Sequence, residues 1–430
     1  MTILKQSACS IAGLLLLLLL RCGLIEADDL SIRSMELSRR MFAPIIVVEY
    51  ADFEGEFLVD TGATFTTVSG PKSLIENPKT NWTITTAGAL THGGARLIKQ
   101  IHGVEVSAFG SPSTPTVLSF REELAKSNST ITAPHILGHR EFDRLVIHFN
   151  LRLGICERTD QESIEKSATL LPIRDDETYP HAPSVAIDLP GFGSRNVIFD
   201  TGSYFFLTLK NERILQLKRA GILRNAGTLN GSSFGKLVQV RTFIIKSGEI
   251  GGYIFQNVEV LESEMETLGR GFMDCFDVFF DSSNRKIWLK PLETEWPRRI
   301  HPDASGLILS YRDTDLLLVV RMEPESAAIP SGLQEGDRVL SFDGKSPKDT
   351  SMRAMRKKLT EAGSTVKLKI LRDGKELDID LPLSRSYEYP PKWPELNTDA
   401  DVFSSPCKAR RSLWESERHV SAIDAQLASY

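Results

Sequence analysis

The sequence predicts a mainly β protein: two homologous closed-β lobes followed by a smaller, unrelated β module. Three observations carry this expectation. Residues 56–68 and 196–208 each lead an apolar stretch into Asp-Thr-Gly, with Asp60 and Asp200 standing 140 positions apart. Downstream of each copy, apolar residues alternate at period two and are interrupted by glycine-containing turns, the pattern of half-buried strands in hairpins. Beyond residue 292 a different pattern begins, without a third copy of the repeat.

Length and composition set the frame. The chain has 430 residues, Lys+Arg 51 against Asp+Glu 56, a formal net charge of -5 and 41% hydrophobic residues. These values exclude a mainly disordered chain, a collagen-like repeat and a polytopic membrane protein. No arginine-rich run, zinc-finger spacing or stacked aromatic cluster is present, so nucleic acid is not an expected partner. No Cys/His cluster has metal-ligand spacing, and no metal or cofactor is expected.

Residues 1–27 read as a signal peptide. Lys5 precedes an apolar run from Ile11 to Leu20, half the roughly twenty residues a spanning helix needs. Cleavage fits after Ala27, which implies a secreted or periplasmic protein. The other reading is an uncleaved N-terminal anchor, the only membrane contact expected, since Arg21 and Cys22 interrupt the small-residue flank.

The first lobe is expected over residues 40–157 and the second over 168–292. Within them the repeat holds in order. Thr86-Ala87-Gly88-Ala89-Leu90 matches Asn225-Ala226-Gly227-Thr228-Leu229, and the polar stretches His92-Gly93-Gly94 and Asn230-Gly231-Ser232 follow as turns. Apolar runs from Leu97 to Phe109 and from Leu237 to Val260 come next. Each copy closes on a Leu-Gly element, Ile136-Leu137-Gly138 and Thr267-Leu268-Gly269, ahead of a last strand. A lone Asp-Thr-Gly would serve equally as a turn cap. Two copies in register, each with its Leu-Gly, point instead to a shared site. His92, His135, His139 and His148 are scattered over faces and loops by the period-two alternation and read as structural or exposed.

These motifs resemble the two halves of aspartic proteases. Ala63 after the first Gly and the Gly93-Gly94 pair are closer to the retropepsin-like branch, with both copies fused in one chain as in pepsin-like enzymes. The resemblance covers about residues 40–292 and implies that Asp60 and Asp200 form the catalytic pair, activating a water that attacks a peptide bond. It also implies that the Thr61 and Thr201 hydroxyls brace the opposite lobe's loop, that Gly62, Gly202, Ser203, Gly138 and Gly269 support the pair, and that a peptide or protein is the substrate. Two carboxylates at close range share one proton, which raises one pKa and lowers the other. Ser203 can hydrogen-bond the Asp200 carboxylate whereas Ala63 cannot serve Asp60, so Asp60 is expected to be the more basic member. Gly93 and Gly94 are a candidate flap tip, although the flap tyrosine of pepsin has no counterpart here. Lobes fused in one chain need no partner to complete the site, which favours a monomer.

The third module spans residues 304–384. A strand from Leu316 to Val320, the run Gly332-Leu333-Gln334-Glu335-Gly336-Asp337-Arg338-Val339-Leu340, a helix from Ser351 to Ala362 and a hairpin turned at Asp373-Gly374 occur in that order. This resembles a PDZ domain of the bacterial protease type, which implies a peptide ligand added as a strand. Ser305-Gly306-Leu307-Ile308 would be the peptide loop. Residues 385–430 read as a poorly ordered extension. The favoured function is an exported aspartic endopeptidase with a PDZ module for peptide or substrate recognition. The alternative is a peptide-binding envelope protein that keeps the fold without hydrolysis, and a paired-carboxylate glycosidase is a remote third.

Overall fold

The computed structural model describes residues 43–385, apart from 51–52, 71–75, 77–78, 80, 92–93, 110–113, 123–134, 165–166, 180, 234–235, 293–302, 314–315 and 323–325. The leader, residues 293–302 between the second lobe and the C-terminal module, the extension from residue 386 and Gly93 lie outside the described residues.

The first lobe consists of β1 (Ile45–Tyr50), β2 (Phe53–Asp60), β3 (Thr67–Gly70), β4 (Thr83–Thr91), β5 (Gly94–Ser107), β6 (Thr114–Glu122) and β7 (His135–Gly138), in the sheet order β1-β2-β7-β3-β6-β5-β4. The second consists of β11 (Ser184–Leu189), β12 (Gly193–Phe199), β13 (Leu207–Leu209), β14 (Leu223–Ser233), β15 (Lys236–Ile250), β16 (Tyr253–Glu262) and β17 (Thr267–Leu268), in the order β11-β12-β17-β13-β16-β15-β14. Position for position this is the same topology, down to the closing pairs β1–β5 and β11–β15. Alternation explains why β2 forms: Phe57 and Val59 are fully buried, while Leu58 and Asp60 on the opposite face remain partly exposed.

Between the lobes lies a five-stranded sheet, β10-β19-β18-β8-β9, formed by β8 (Val146–Asn150), β9 (Ile155–Thr159), β10 (Thr169–Pro172), β18 (Phe276–Asp281) and β19 (Lys286–Pro291). The first lobe's β8 pairs antiparallel with the second lobe's β18, with Phe279 opposite His148. A single hydrophobic core runs through both lobes, including Phe142, Phe199 and Phe280. The lobes are therefore one packed unit, and β9 carries the first lobe two residues past its expected end at 157. His148 lies stacked on Phe279 at 4.7 Å and hydrogen-bonds Asp277 at 3.0 Å across this sheet, a structural role.

Two departures from expectation stand out. Asn230-Gly231-Ser232 is not a turn but part of β14; the chain reverses after Ser233, which pairs with Lys236. Small polar residues signal turns locally, but long cross-strand pairing overrides them here. A helix, α1 (Asn211–Arg219), buries Ile214 and Leu217 against the second lobe; its short apolar face gave no clear period.

The C-terminal module is a five-stranded sheet of β20 (Leu307–Asp313), β21 (Leu316–Met322), β22 (Arg338–Phe342), β23 (Thr365–Arg372) and β24 (Lys375–Pro382) in sequence order, with α2 (Met352–Leu359). Met352, Met355 and Leu359 of α2 enter a core separate from that of the lobes. Asp373 and Gly374 have φ of 49° and 75°, as a tight two-residue hairpin requires. Asp337 explains the Gly-Asp of the module's signature run. Its buried carboxylate accepts two hydrogen bonds of 2.7 Å from Arg372 and one of 2.8 Å from the Gln334 amide, so it ties β23 to the turn before β22.

Candidate active site

Asp60 and Asp200 end apolar strands whose neighbours are the Leu-Gly elements. Parallel pairing places Asp60 opposite Gly138, and the Asp200 amide donates to the Leu268 carbonyl at 3.0 Å. In each loop the aspartate's own Oδ1 accepts two backbone amides: Gly62 at 2.9 Å and Ala63 at 3.0 Å for Asp60, Gly202 at 2.8 Å and Ser203 at 2.9 Å for Asp200. The Asp-x-Gly-x spacing is what lets one carboxylate reach the amides two and three residues on.

The loops are joined by Thr61 and Thr201, both fully buried. The Thr61 amide donates to Thr201 Oγ1 at 2.9 Å and the Thr201 amide donates to Thr61 Oγ1 at 3.0 Å. Each hydroxyl then donates to a carbonyl of the opposite lobe, Thr61 to Phe199 and Thr201 to Val59, both at 2.6 Å. This reciprocal lock seats each glycine against the other lobe's carboxyl group. A Cβ on Gly62 would lie 2.5 Å from Asp200 Cγ, and one on Gly202 would lie 2.3 Å from Asp60 Oδ2.

The two aspartate side chains consequently hydrogen-bond one another. Burial, then the Asp200 charge, then that hydrogen bond hold the Asp60 carboxyl well above the usual carboxylate range, against the pull of the Ala63 and Gly62 amides. Asp60 thus retains a proton where an isolated carboxylic acid would not. The Ser203 hydroxyl accepts from Thr267 Oγ1 at 3.1 Å, which anchors the second loop to β17.

Replacing Thr201 with valine is expected to leave the Thr61 amide and the Val59 carbonyl buried without partners, at about 2–4 kcal/mol. Denaturant titration should show this as a lowered midpoint, with Thr201→Ser, which keeps the hydroxyl, losing less than half as much. Equal losses would mean that packing of the methyl group, and not the hydrogen bonds, is what matters.

The Leu-Gly glycines permit close backbone approach. A Cβ on Gly138 would meet the Phe65 carbonyl carbon at 2.5 Å, and one on Gly269 would meet the Phe205 oxygen at 2.3 Å. The residue after each glycine then ties down its aspartate loop: the His139 amide donates to the Ala63 carbonyl and the Arg270 amide to the Ser203 carbonyl, both at 2.8 Å.

The side chains at these two positions were not expected to take part. His139 Nδ1 lies 3.1 Å from the same Ala63 oxygen; a carbonyl only accepts, so Nδ1 carries the proton. Burial pulls His139 down to about 4, so the ring is neutral near pH 7. Arg270 is buried and interacts electrostatically with both aspartates; burial lowers its pKa to about 10, opposed by Asp200 and Asp60. Its guanidinium carbon lies 5.3 Å from the centre of the Tyr204 ring, in the loop of Asp200. Arg356, from α2 of the C-terminal module, lies over the same ring at 3.4 Å, and burial brings it to about 9. The only signal for Arg270 in the sequence is its place beside the second Leu-Gly, and for Arg356 there is none.

Of the expected flap, Gly94 opens β5 opposite Thr91, whereas Gly93 lies outside the described residues. In the C-terminal module Gly306 has a φ of 62°, Leu307 is buried and Ile308 pairs with Arg321, so the loop feeds directly into edge strand β20.

Residues 306–383 match the PDZ domain family. No curated protein matches the chain. The chain therefore carries a PDZ domain, a module that takes up extended peptides, and a peptide or protein is its partner.

Proposed function

We propose that this protein is an aspartic endopeptidase that hydrolyses peptide bonds with the Asp60–Asp200 pair and uses its PDZ domain to engage peptide or protein segments. The observation that supports it most is the reciprocal Thr61–Thr201 lock, which holds two carboxyl groups from topologically identical lobes in hydrogen-bonding contact. A merely structural aspartate would have no reason to be buried against a second one, because the pair costs stability unless a proton is shared.

In this reading Asp60, with its raised pKa, holds the shared proton and Asp200 is ionised. Asp200 removes a proton from a water lying between the two groups, and the water's oxygen attacks the scissile carbonyl as Asp60 donates its proton to the carbonyl oxygen. The tetrahedral diol that forms is not bound covalently. Proton return to the amide nitrogen breaks the C–N bond and restores the pair. Arg270 adds a fixed positive charge to the site, and its place over Tyr204 links that charge to the PDZ helix through Arg356. The leader at residues 1–27 is the basis for proposing that the enzyme works after export, and the fusion of both lobes in one chain is the basis for proposing a monomer.

The test is cleavage of an unstructured peptide library across pH 3–8 by the wild type and by Asp200→Asn. Hydrolysis by the wild type and its loss in the variant, by at least about a thousandfold, is expected. Absence of cleavage by the wild type at every pH would favour a peptide-binding protein that keeps the fold, and unchanged cleavage by Asp200→Asn would overturn the mechanism.

A further inference from the structure

The PDZ domain's peptide loop is already filled by a carboxylate of the chain itself. Asp303 Oδ1 accepts the Ser305 amide at 2.6 Å, the Ser305 hydroxyl at 2.6 Å and the Gly306 amide at 3.0 Å. The next amide, that of Leu307, donates to Ser305 Oγ at 3.0 Å. Burial pushes the Asp303 carboxyl above its ordinary value, while the Ser305 and Gly306 donors and then the Arg385 charge favour its ionised form. The Arg385 guanidinium donates to the Thr360 carbonyl just after α2, within the same corner of the module. That corner is closed by backbone bonds from the Ala304 amide to the Leu359 carbonyl and from the Ser384 amide to the Ala304 carbonyl, both 2.8 Å.

Successive backbone amides converging on one point, with an arginine close by, make a nest for an anion, and capture of a peptide's C-terminal carboxylate uses such a nest. Here the donors that would receive it are turned to Asp303 and Ser305. A second carboxylate entering beside Asp303 would meet like charge and find these amides engaged. The remainder of the ligand seat does not need a chain end: β20 is the edge strand of its sheet, paired to β21 alone, and offers main-chain hydrogen bonds to any extended segment.

We propose that Asp303 makes this PDZ domain select internal extended segments of a polypeptide and reject free C-termini. The side chain stands in for the terminal carboxylate and fixes the loop in its bound shape, so that β20 is presented ready for strand addition. A chain passing along β20 without ending there is the form in which an intact protein would be offered. This inference rests on the PDZ domain and not on the proposed hydrolysis.

The experiment uses the full chain carrying Asp200→Asn, so that peptides are not consumed, and an array of decapeptides displayed twice, once with a free C-terminal carboxylate and once as the C-terminal amide. Wild-type Asp303 should bind the two forms of each sequence within about twofold of one another. Asp303→Ala empties the nest and should shift the preference towards the free carboxylate by about tenfold, the contribution of a charge-assisted hydrogen bond. Asp303→Asn keeps an acceptor for Ser305 and Gly306 without the charge; it should give an intermediate preference and shows that the loop still folds. A tenfold carboxylate preference already present in the wild type, or an unchanged ratio in Asp303→Ala, would overturn the proposal. So would failure of Asp303→Ala to bind any carboxylate peptide while the wild type binds amides.

Discussion

Replacing Asp60 with asparagine is expected to abolish hydrolysis and, at the same time, to raise the stability of the fold at neutral pH. Asparagine keeps the oxygen that accepts the Gly62 and Ala63 amides but neither donates a carboxylic proton nor ionises. The sign of the stability effect comes from the raised pKa. In the unfolded chain Asp60 titrates near its ordinary value of 3.8, while burial first and then Asp200 hold it well above that value when folded. The native state therefore keeps a proton that the unfolded state releases. The stabilisation is complete below about 3.8 and is lost as pH rises through the folded pKa, so above that point the pair is a burden on the fold. Removing the ionisable group, which the unfolded chain would deprotonate, lifts that burden at pH 7 and does little near pH 4. Thermal unfolding should place the variant's Tm several degrees above the wild type at pH 7, with the gap closing towards pH 4. A variant that melts lower than the wild type at pH 7 would show that Asp60 is not held protonated by its surroundings. On the proposed mechanism the same titration is expected to set the alkaline limb of the pH–rate profile, because that mechanism uses the proton that Asp60 loses there.

This exchange of stability for chemistry is what a buried carboxyl pair implies. It also explains why the surrounding framework is so heavily cross-linked. Thr61, Thr201, His139 and the Arg270 backbone all hold the two loops from different directions, and they oppose the repulsion that would otherwise open the lobe interface.

Much of this arrangement was legible in the sequence because it is written twice. Asp60 and Asp200, with Leu137-Gly138 and Leu268-Gly269, recur in order, and a duplicated order of strands specifies a duplicated topology. The hairpin at Asp373-Gly374 was equally plain, since a two-residue turn with positive φ admits few residue types. What escaped were features without a local period. The pairing of β8 with β18 joins residues roughly 130 apart, and nothing in either strand names its partner. At Asn230-Gly231-Ser232 the small polar composition favours a turn locally, and the pairing of β14 with β15 overrides it. Arg270 and Arg356 escaped for another reason: a lone guanidinium reads as solvated in a sequence, and only tertiary packing places both over the Tyr204 ring. Asp303 stands just ahead of the module's expected start at residue 304, and its role depends on three donors that converge only once the module has folded.

Two glycine substitutions separate the chemistry from the fold. Gly202→Ala is expected to leave a folded protein without activity, whereas Gly269→Ala is expected to prevent stable folding. Neither effect comes from backbone angles, since Gly269 at φ −107° lies where any residue fits; both are steric. An added Cβ at Gly202 would lie 2.3 Å from Asp60 Oδ2, 2.4 Å from Cγ and 2.7 Å from Oδ1. Those atoms end a side chain, so the carboxyl group can rotate away. In doing so it abandons the Gly62 and Ala63 amides and its partner Asp200. Misplacement of a reacting group by about 1 Å costs on the order of a hundredfold in rate, and here the whole group turns, so at least that loss is expected with a stability change of about 1 kcal/mol. At Gly269 the added Cβ would lie 2.3 Å from the Phe205 oxygen and 2.6 Å from the Ser203 oxygen. These are backbone atoms, held by the Gly269 amide to Phe206 at 3.0 Å and by the Arg270 amide to Ser203 at 2.8 Å. Nothing there can swing aside, so the second lobe must separate β17 from its aspartate loop, at about 3–5 kcal/mol. Circular dichroism melts beside the peptide-library assay distinguish the two. If Gly202→Ala cleaved at the wild-type rate, the opposed packing of glycine and aspartate would not be what sets the dyad; if Gly269→Ala melted with the wild type, the Leu-Gly segment would have more room than its contacts allow.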